Sequence, residues 1–224
     1  MRPLAGSGVR RGAGRSLIAA IFGTVWASGA SAADAPAPPS VPNQLLVQAD
    51  GLYERWTVER SWGTGLMVDV LTEVSTRMAL EYPSAEPLVI GDISRRGGGQ
   101  IDGHMTHRMG EDADIGIYFR GGRQSHGGFV NVDPDELDCD ATFGLIRALL
   151  DTGTVEYILL DQVLIDRLRS YALADLGLDP ELVASMFPAE GTATWRMWGY
   201  VRHADNHRNH LHIHVGDPQV RKGS

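Results

Sequence analysis

The sequence predicts a single α+β domain, and three observations carry that expectation. Amphipathic helical stretches and short apolar strand signals mix along the chain without the regular strand–helix alternation of a doubly wound sheet. Beyond an N-terminal leader of 32 residues, 192 residues remain, enough for one domain with a sizeable core. Only one cysteine is present, so no internal disulfide is available and packing, aided by any metal, must hold the fold.

The elements follow in order. Arg2, Arg10, Arg11 and Arg15 form a positive region without acids, an apolar run spans Leu17 to Trp26, and Ala30-Ser31-Ala32 fits a small-residue cleavage site. The run is shorter than the ~20 residues a membrane-spanning helix needs, so residues 1–32 read as a signal peptide of the general secretory type. Residues 33–44, with Pro36, Pro38, Pro39 and Pro42, read as a Pro/Ala-rich tether, and residues 45–224 as the domain. Leu66, Val70, Leu71, Val74, Met78 and Leu80 recur at helical spacing up to Pro83. Leu88-Val89-Ile90 is a strand signal that runs into Gly91-Asp92-Ile93-Ser94, and the stretch from Arg95 to Thr106, with Gly97-Gly98-Gly99 and Gly103, is loop.

Asp112 to Phe119 alternates, with Ala113, Ile115, Ile117 and Phe119 on one face and Asp112, Asp114, Gly116 and Tyr118 on the other. Gly121 to Pro134 reads as an irregular surface insertion. Helices are expected over Thr142–Leu150 and Val163–Leu176, a buried strand over Val155–Leu160, and a short helix capped by Asp179 with Pro180 first and Phe187 last. The last strand is Leu211–Val215.

Charge excludes one class of partner. The net charge is −8, and loss of the leader's four arginines takes it to −12. Neutralising phosphates needs clustered Lys and Arg, so nucleic acid is not a partner. Cys139 lies between Asp138 and Asp140, which disfavour a thiolate, so it reads as a structural thiol.

Six of the eight histidines fall in two clusters, His104 with His107, and His207, His210, His212 and His214. In the first, a loop delivers two imidazoles, Gly110 allows a turn, and the next strand presents Asp112 and Asp114. In the second, His210, His212 and His214 share one strand face while Leu211, Ile213 and Val215 take the other. One His-x-His pair is weak evidence; two clusters with strand spacing are much stronger. Imidazole and carboxylate are ordinary zinc ligands, and a catalytic zinc has three of them plus an open position. A non-haem iron site also uses two histidines and a carboxylate, but commonly as His-x-Asp/Glu, whereas the spacing here is His-x6-Asp with a distant His-x-His.

These residues resemble the penicillin-insensitive murein endopeptidases, within the wider group of lysostaphin-type enzymes, D-alanyl-D-alanine metallopeptidases and hedgehog domains. The resemblance rests on Gly91-Asp92-Ile93-Ser94, the Gly97-Gly98-Gly99 loop, His104-x2-His107-x2-Gly110-x-Asp112-x-Asp114-Ile115, and His207-x2-His210-x-His212. It implies a hedgehog/DD-peptidase-like fold with a central, mainly antiparallel sheet and flanking helices. It implies zinc on His107, Asp114 and His212, with His210 beside the metal-bound water as general base or electrostatic helper and His207 and His104 as further active-site histidines. It implies a periplasmic enzyme that hydrolyses peptide cross-links of peptidoglycan, chiefly D-alanyl–diaminopimelyl bonds. His214 stands where relatives often have arginine, Thr106 where serine is usual, and Ala113 where valine is usual. Two alternatives stay open, a D-Ala-D-Ala-type carboxypeptidase of the same group and a non-catalytic periplasmic zinc-binding module.

Around this set, Asp112 is either an orienter of a ligand histidine or an exposed edge carboxylate, and His214, roughly 7 Å beyond His212 along the strand, is expected behind the ligands or at the cleft rim rather than as a ligand. His126 and His203 are expected in surface or loop positions. Trp195 and Trp198 are expected to pack beneath the last strand, and Arg95 and Arg96 to be solvated.

Overall fold

Thr64 begins the first helix, its Oγ1 accepting the Met67 N–H at 3.2 Å. The computed structural model describes residues 43–122, 124, 127–188 and 199–217. Three short strands, β1 (Gln44–Leu45), β2 (Tyr53–Arg55) and β3 (Trp62–Gly63), precede helix α1 (Gly65–Glu81). Its buried stripe is Met67, Val70, Leu71, Val74 and Met78. The expected stripe included Leu80, which is instead exposed, because it falls two positions after Met78 and so off the buried face.

The remaining elements are β4 (Leu88–Ile90), β5 (Asp112–Gly116), α2 (Cys139–Asp151), β6 (Val155–Leu160), α3 (Gln162–Ala174), α4 (Pro180–Met186), β7 (Tyr200–His203) and β8 (His210–Val215). Helix α2 starts three residues earlier than the apolar pattern suggests, because Asp138 caps it by accepting the Ala141 N–H at 3.1 Å. Cys139 thereby becomes a buried first-turn residue. Asp179 caps α4 with Pro180 at its start, as its sequence signal indicates.

Six strands form one sheet in the order β2-β4-β5-β8-β6-β7. The centre is antiparallel, β4 with β5, β5 with β8 and β8 with β6, and each flank ends on a parallel pair, β2 with β4 and β6 with β7. A parallel pair needs a crossover; β3 and α1 supply the first, and α3 and α4 the second. β1 and β3 form a separate small antiparallel pair. The fold is therefore the expected α+β class, with a mixed sheet that is antiparallel where the site lies.

One face of this sheet is core. Ala113, Ile115, Leu211, Ile213 and Val215 join the buried residues of α1, α2 and α3 in a single apolar cluster. The opposite face carries Asp112, Asp114, His210, His212 and His214. The β5–β8 register sets Asp112 opposite His214, Asp114 opposite His212 and Gly116 opposite His210. A slip of one residue would turn all three histidines into the core, so burial of the apolar face fixes the position of the polar one.

β5 stops at Gly116 rather than continuing to Phe119, since β8 begins at His210 and offers no further partner. Gly110 controls how β5 is entered. Its φ is +81°, and a Cβ there would stand 2.9 Å from Thr64 N and 3.0 Å from Gly63 Cα. Thr64 N–H donates to Gly110 O at 2.9 Å, so only glycine fits both the left-handed turn and the backbone contact.

Asn43 and Gln44 already belong to the folded part, the first donating its side-chain amide to Arg95 O at 2.8 Å and the second opening β1. The expected signal peptide and the rest of the tether lie outside the described residues, as do His126, Trp195 and Trp198.

Candidate metal centre and active site

His107 arrives on the loop after Gly103 with φ +36°, a left-handed conformation that costs a non-glycine residue on the order of 1–3 kcal/mol. Its ring is buried, and Nδ1–H donates to the Ile93 carbonyl at 2.9 Å. That bond leaves the Nε2 lone pair facing inward. His212 is oriented the other way round: Nε2–H donates to Asp112 Oδ1 at 3.2 Å, which leaves Nδ1 facing inward. Asp114 is held by its own backbone, whose N–H donates to Asp92 O and whose carbonyl accepts from Gly91 N–H.

These three inward atoms form a nearly equilateral triangle. His107 Nε2 lies 3.1 Å from His212 Nδ1 and 3.2 Å from Asp114 Oδ1. His212 Nδ1 lies 3.1 Å from Asp114 Oδ1. Three lone pairs facing one another at this distance repel unless a cation lies among them. Ligands 2.0–2.1 Å from a tetrahedral zinc stand roughly 3.4 Å apart, so the triangle has the size as well as the chemistry of a zinc site.

Three further histidines, His104, His207 and His210, lie around the triangle. His210 Nδ1–H donates to Asn209 Oδ1 at 2.6 Å, which directs Nε2 inward, 3.5 Å from Asp114 Oδ1. His207 Nδ1–H donates to Asp205 O at 2.7 Å, and its ring lies 4.8 Å from that of His210 and 6.0 Å from that of His212. His104 Nε2–H donates to Asp92 Oδ2 at 2.9 Å, and Nδ1 stands 3.8 Å from Asp114 Oδ2. His104, His107 and Asp114 also group closely enough to hold a metal ion. That grouping is looser, because its His104–Asp114 edge is longer than any edge of the triangle.

Electrostatics match the geometry. Burial would raise the Asp114 carboxyl, but the adjacent His107 and His212 imidazoles hold it well below the usual carboxylate range. Asp112 is lowered in the same way, its burial outweighed by His212 and His214. Burial would pull the His212 imidazolium down, yet the bonds to Asp112 and Asp114 raise it to about 9. Without a metal ion, a proton therefore sits in the triangle. His210 is pushed down to about 4, chiefly by burial, and burial also lowers His207. Both are neutral at pH 7 and have a free lone pair.

Several functional residues carry weak sequence signals. Asp112 is a buried orienter rather than an exposed edge group, and it also accepts His214 Nδ1–H at 2.9 Å. Asp92, buried in Gly91-Asp92-Ile93-Ser94, receives both His104 and Arg60, the latter at 2.7 Å. Asn209 is marked only by its adjacency to His210. The described residues of the insertion are irregular and mostly exposed, as expected, but two of them turn to the site: Phe129 stacks on the His210 ring at 5.4 Å, and Gln124 is buried, donating to Asn209 O at 2.9 Å. Gly91 admits this ring, since a Cβ there would meet Phe129 at 3.0 Å. His203 ends β7 and accepts the Gln162 N–H at the start of α3, a structural task. Arg95 and Arg96 are exposed, as expected, and Arg96 lies over the Trp62 ring.

Residues 44–131 match the model of the penicillin-insensitive murein endopeptidase family. No curated protein matches the chain. The matched segment contains His104, His107 and Asp114 and ends before β8, whose histidines join them through sheet register. The match covers less than half of the chain, and over residues 44–131 the chain is similar to the penicillin-insensitive murein endopeptidases.

Proposed function

We propose that the chain is an exported, zinc-dependent murein endopeptidase that hydrolyses D-alanyl–diaminopimelyl cross-links of peptidoglycan. In this reading residues 1–32 are a cleaved signal peptide, the tether that follows ends before Asn43, and the folded part from there on is the periplasmic catalytic domain. No helix among the described residues is long and apolar enough to cross a membrane. The observation that carries the reading is the triangle of inward donor atoms with its outward N–H groups fixed by Ile93 O and Asp112. Two imidazoles and a carboxylate suit zinc, so His107, Asp114 and His212 are the proposed ligands.

When bound, zinc supplies Lewis acidity, lowering the pKa of water towards about 7 and polarising an amide carbonyl. The chain's own residues do the rest. His210 Nε2 takes the proton of the attacking water, because Asn209 commits Nδ1–H elsewhere. The proton then passes to the leaving amine as the C–N bond breaks. His207 and His104 flank the ligands and stabilise charge on the carbonyl oxygen or assist protonation of the amine. Asp92 holds the His104 ring in place, and Phe129 keeps bulk water from the His210 ring.

Digestion of purified cross-linked muropeptides tests this reading. Dimers should become monomers with a β-lactam present and stay intact with a chelator. The sequence offers no Ser-x-x-Lys motif near these histidines for penicillin to acylate. Stoichiometric β-lactam inhibition would exclude the mechanism, and removal of terminal D-Ala without dimer cleavage would replace it with the carboxypeptidase.

Metal uptake should depend on pH. His212 in the metal-free protein has its pKa raised to about 9, so below that value a metal must displace its proton. Uptake should release about one proton, and affinity should rise about tenfold per pH unit between 6 and 8. Calorimetry in two buffers of different ionisation enthalpy measures the proton. Affinity that is flat across this range would show that no proton occupies the triangle.

A further inference from the structure

Beyond the ligands, the same face of the sheet carries a row of stacked groups that neither the metal centre nor the proposed base uses. Tyr157 lies opposite His214 in register, and Leu159 lies opposite both His212 on β8 and Arg202 on β7. The Tyr157 and His214 rings are nearly parallel, 5.2 Å apart. Arg202 stands over the Tyr157 ring with its guanidinium 4.2 Å from the centroid. The row therefore runs from His212 outward to a half-buried cation.

Among the described residues no carboxylate forms an ion pair with Arg202, whose guanidinium donates to the Tyr200 hydroxyl at 3.5 Å. In a chain with 28 acidic against 20 basic side chains, partners for an arginine are plentiful. A planar guanidinium stacked on an aromatic ring is pre-organised, and its fork of N–H donors matches a carboxylate. Neighbouring strands lie about 4.8 Å apart, which puts the Arg202 backbone roughly 10 Å from that of His212. An extended peptide covers that span in about three residues.

We propose that Arg202, held on Tyr157, binds a carboxylate of the substrate peptide lying one to three residues from the scissile bond. The proposal rests on the endopeptidase reading for its substrate, and it adds the group that selects a charged stem over a neutral one. Tyr157 and His214 then act as positioning residues, the first as the platform and the second as its support.

The test uses two cross-linked muropeptide dimers, one with the diaminopimelate carboxylate next to the cross-link free and one with it amidated. Binding is measured by calorimetry on zinc-free protein, and cleavage on the zinc-loaded protein. The wild type should favour the free acid by about 10–100-fold, the range expected for charge-assisted hydrogen bonds. Arg202→Gln should lose that preference mainly through KM, leaving the amidated dimer nearly unaffected. Arg202→Lys, which keeps the charge but not the fork, should retain part of it. Equal weakening of both dimers by Arg202→Gln, or no preference in the wild type, would overturn the proposal. A binding preference with no cleavage of either dimer would instead sink the endopeptidase reading and leave the carboxylate subsite standing.

Discussion

Replacing His212 by alanine is expected to leave the domain folded, with sub-stoichiometric zinc and no more turnover than chelated wild type. The ring contributes one vertex of the triangle, and a catalytic site that relies on three protein ligands cannot lose one and hold its metal. Folding should survive because both carboxylates keep a partner, Asp112 through His214 and Asp114 through His107. Asp112→Ala gives the scale for comparison: loss of an orienting carboxylate typically costs 10–100-fold in metal affinity or activity, and His212→Ala should exceed it. Elemental analysis, thermal melting and muropeptide turnover on one preparation decide the matter. Stoichiometric zinc in folded His212→Ala would remove His212 from the ligand set.

His210→Ala should separate chemistry from metal binding. Its Nε2 stands 3.5 Å from Asp114 Oδ1, outside the tighter triangle, and its Nδ1 is committed to Asn209. The variant should keep zinc and fold while losing about 10²–10⁴-fold in turnover, the usual contribution of a positioned acid–base group. Loss of zinc as complete as in His212→Ala would make His210 a ligand. Near-normal turnover would move the base elsewhere, first to His207, whose inward nitrogen is likewise free.

The sequence made most of this site legible because strands repeat every two residues. The spacing of His210, His212 and His214 on β8, and of Asp112 and Asp114 on β5, puts each set on one face, and the apolar residues between them say which face is core. The pairing that brings Asp114 opposite His212 spans 98 residues, and local pattern alone carries no information about it. The groups that set ring tautomers were harder to read. Asp92 and Asn209 look like ordinary turn residues until His104 and His210 are placed against them. β1, β2, β3 and β7, of two to four residues, hold too few alternations to be seen, whereas the equally short β4 is marked by its unbroken apolar run Leu88-Val89-Ile90. Phe129 sits in a glycine-containing insertion without periodicity, and only packing on His210 and Trp56 shows that it belongs to the site.

Anomalous scattering at the zinc edge, from crystals of the zinc-loaded domain, tests the central claim most directly. One peak is predicted about 2.0–2.2 Å from His107 Nε2, Asp114 Oδ1 and His212 Nδ1, with His104 turned to Asp92 and His210 beyond bonding distance. A peak held by His104 in place of His212, or no zinc peak between β5 and β8, would contradict it.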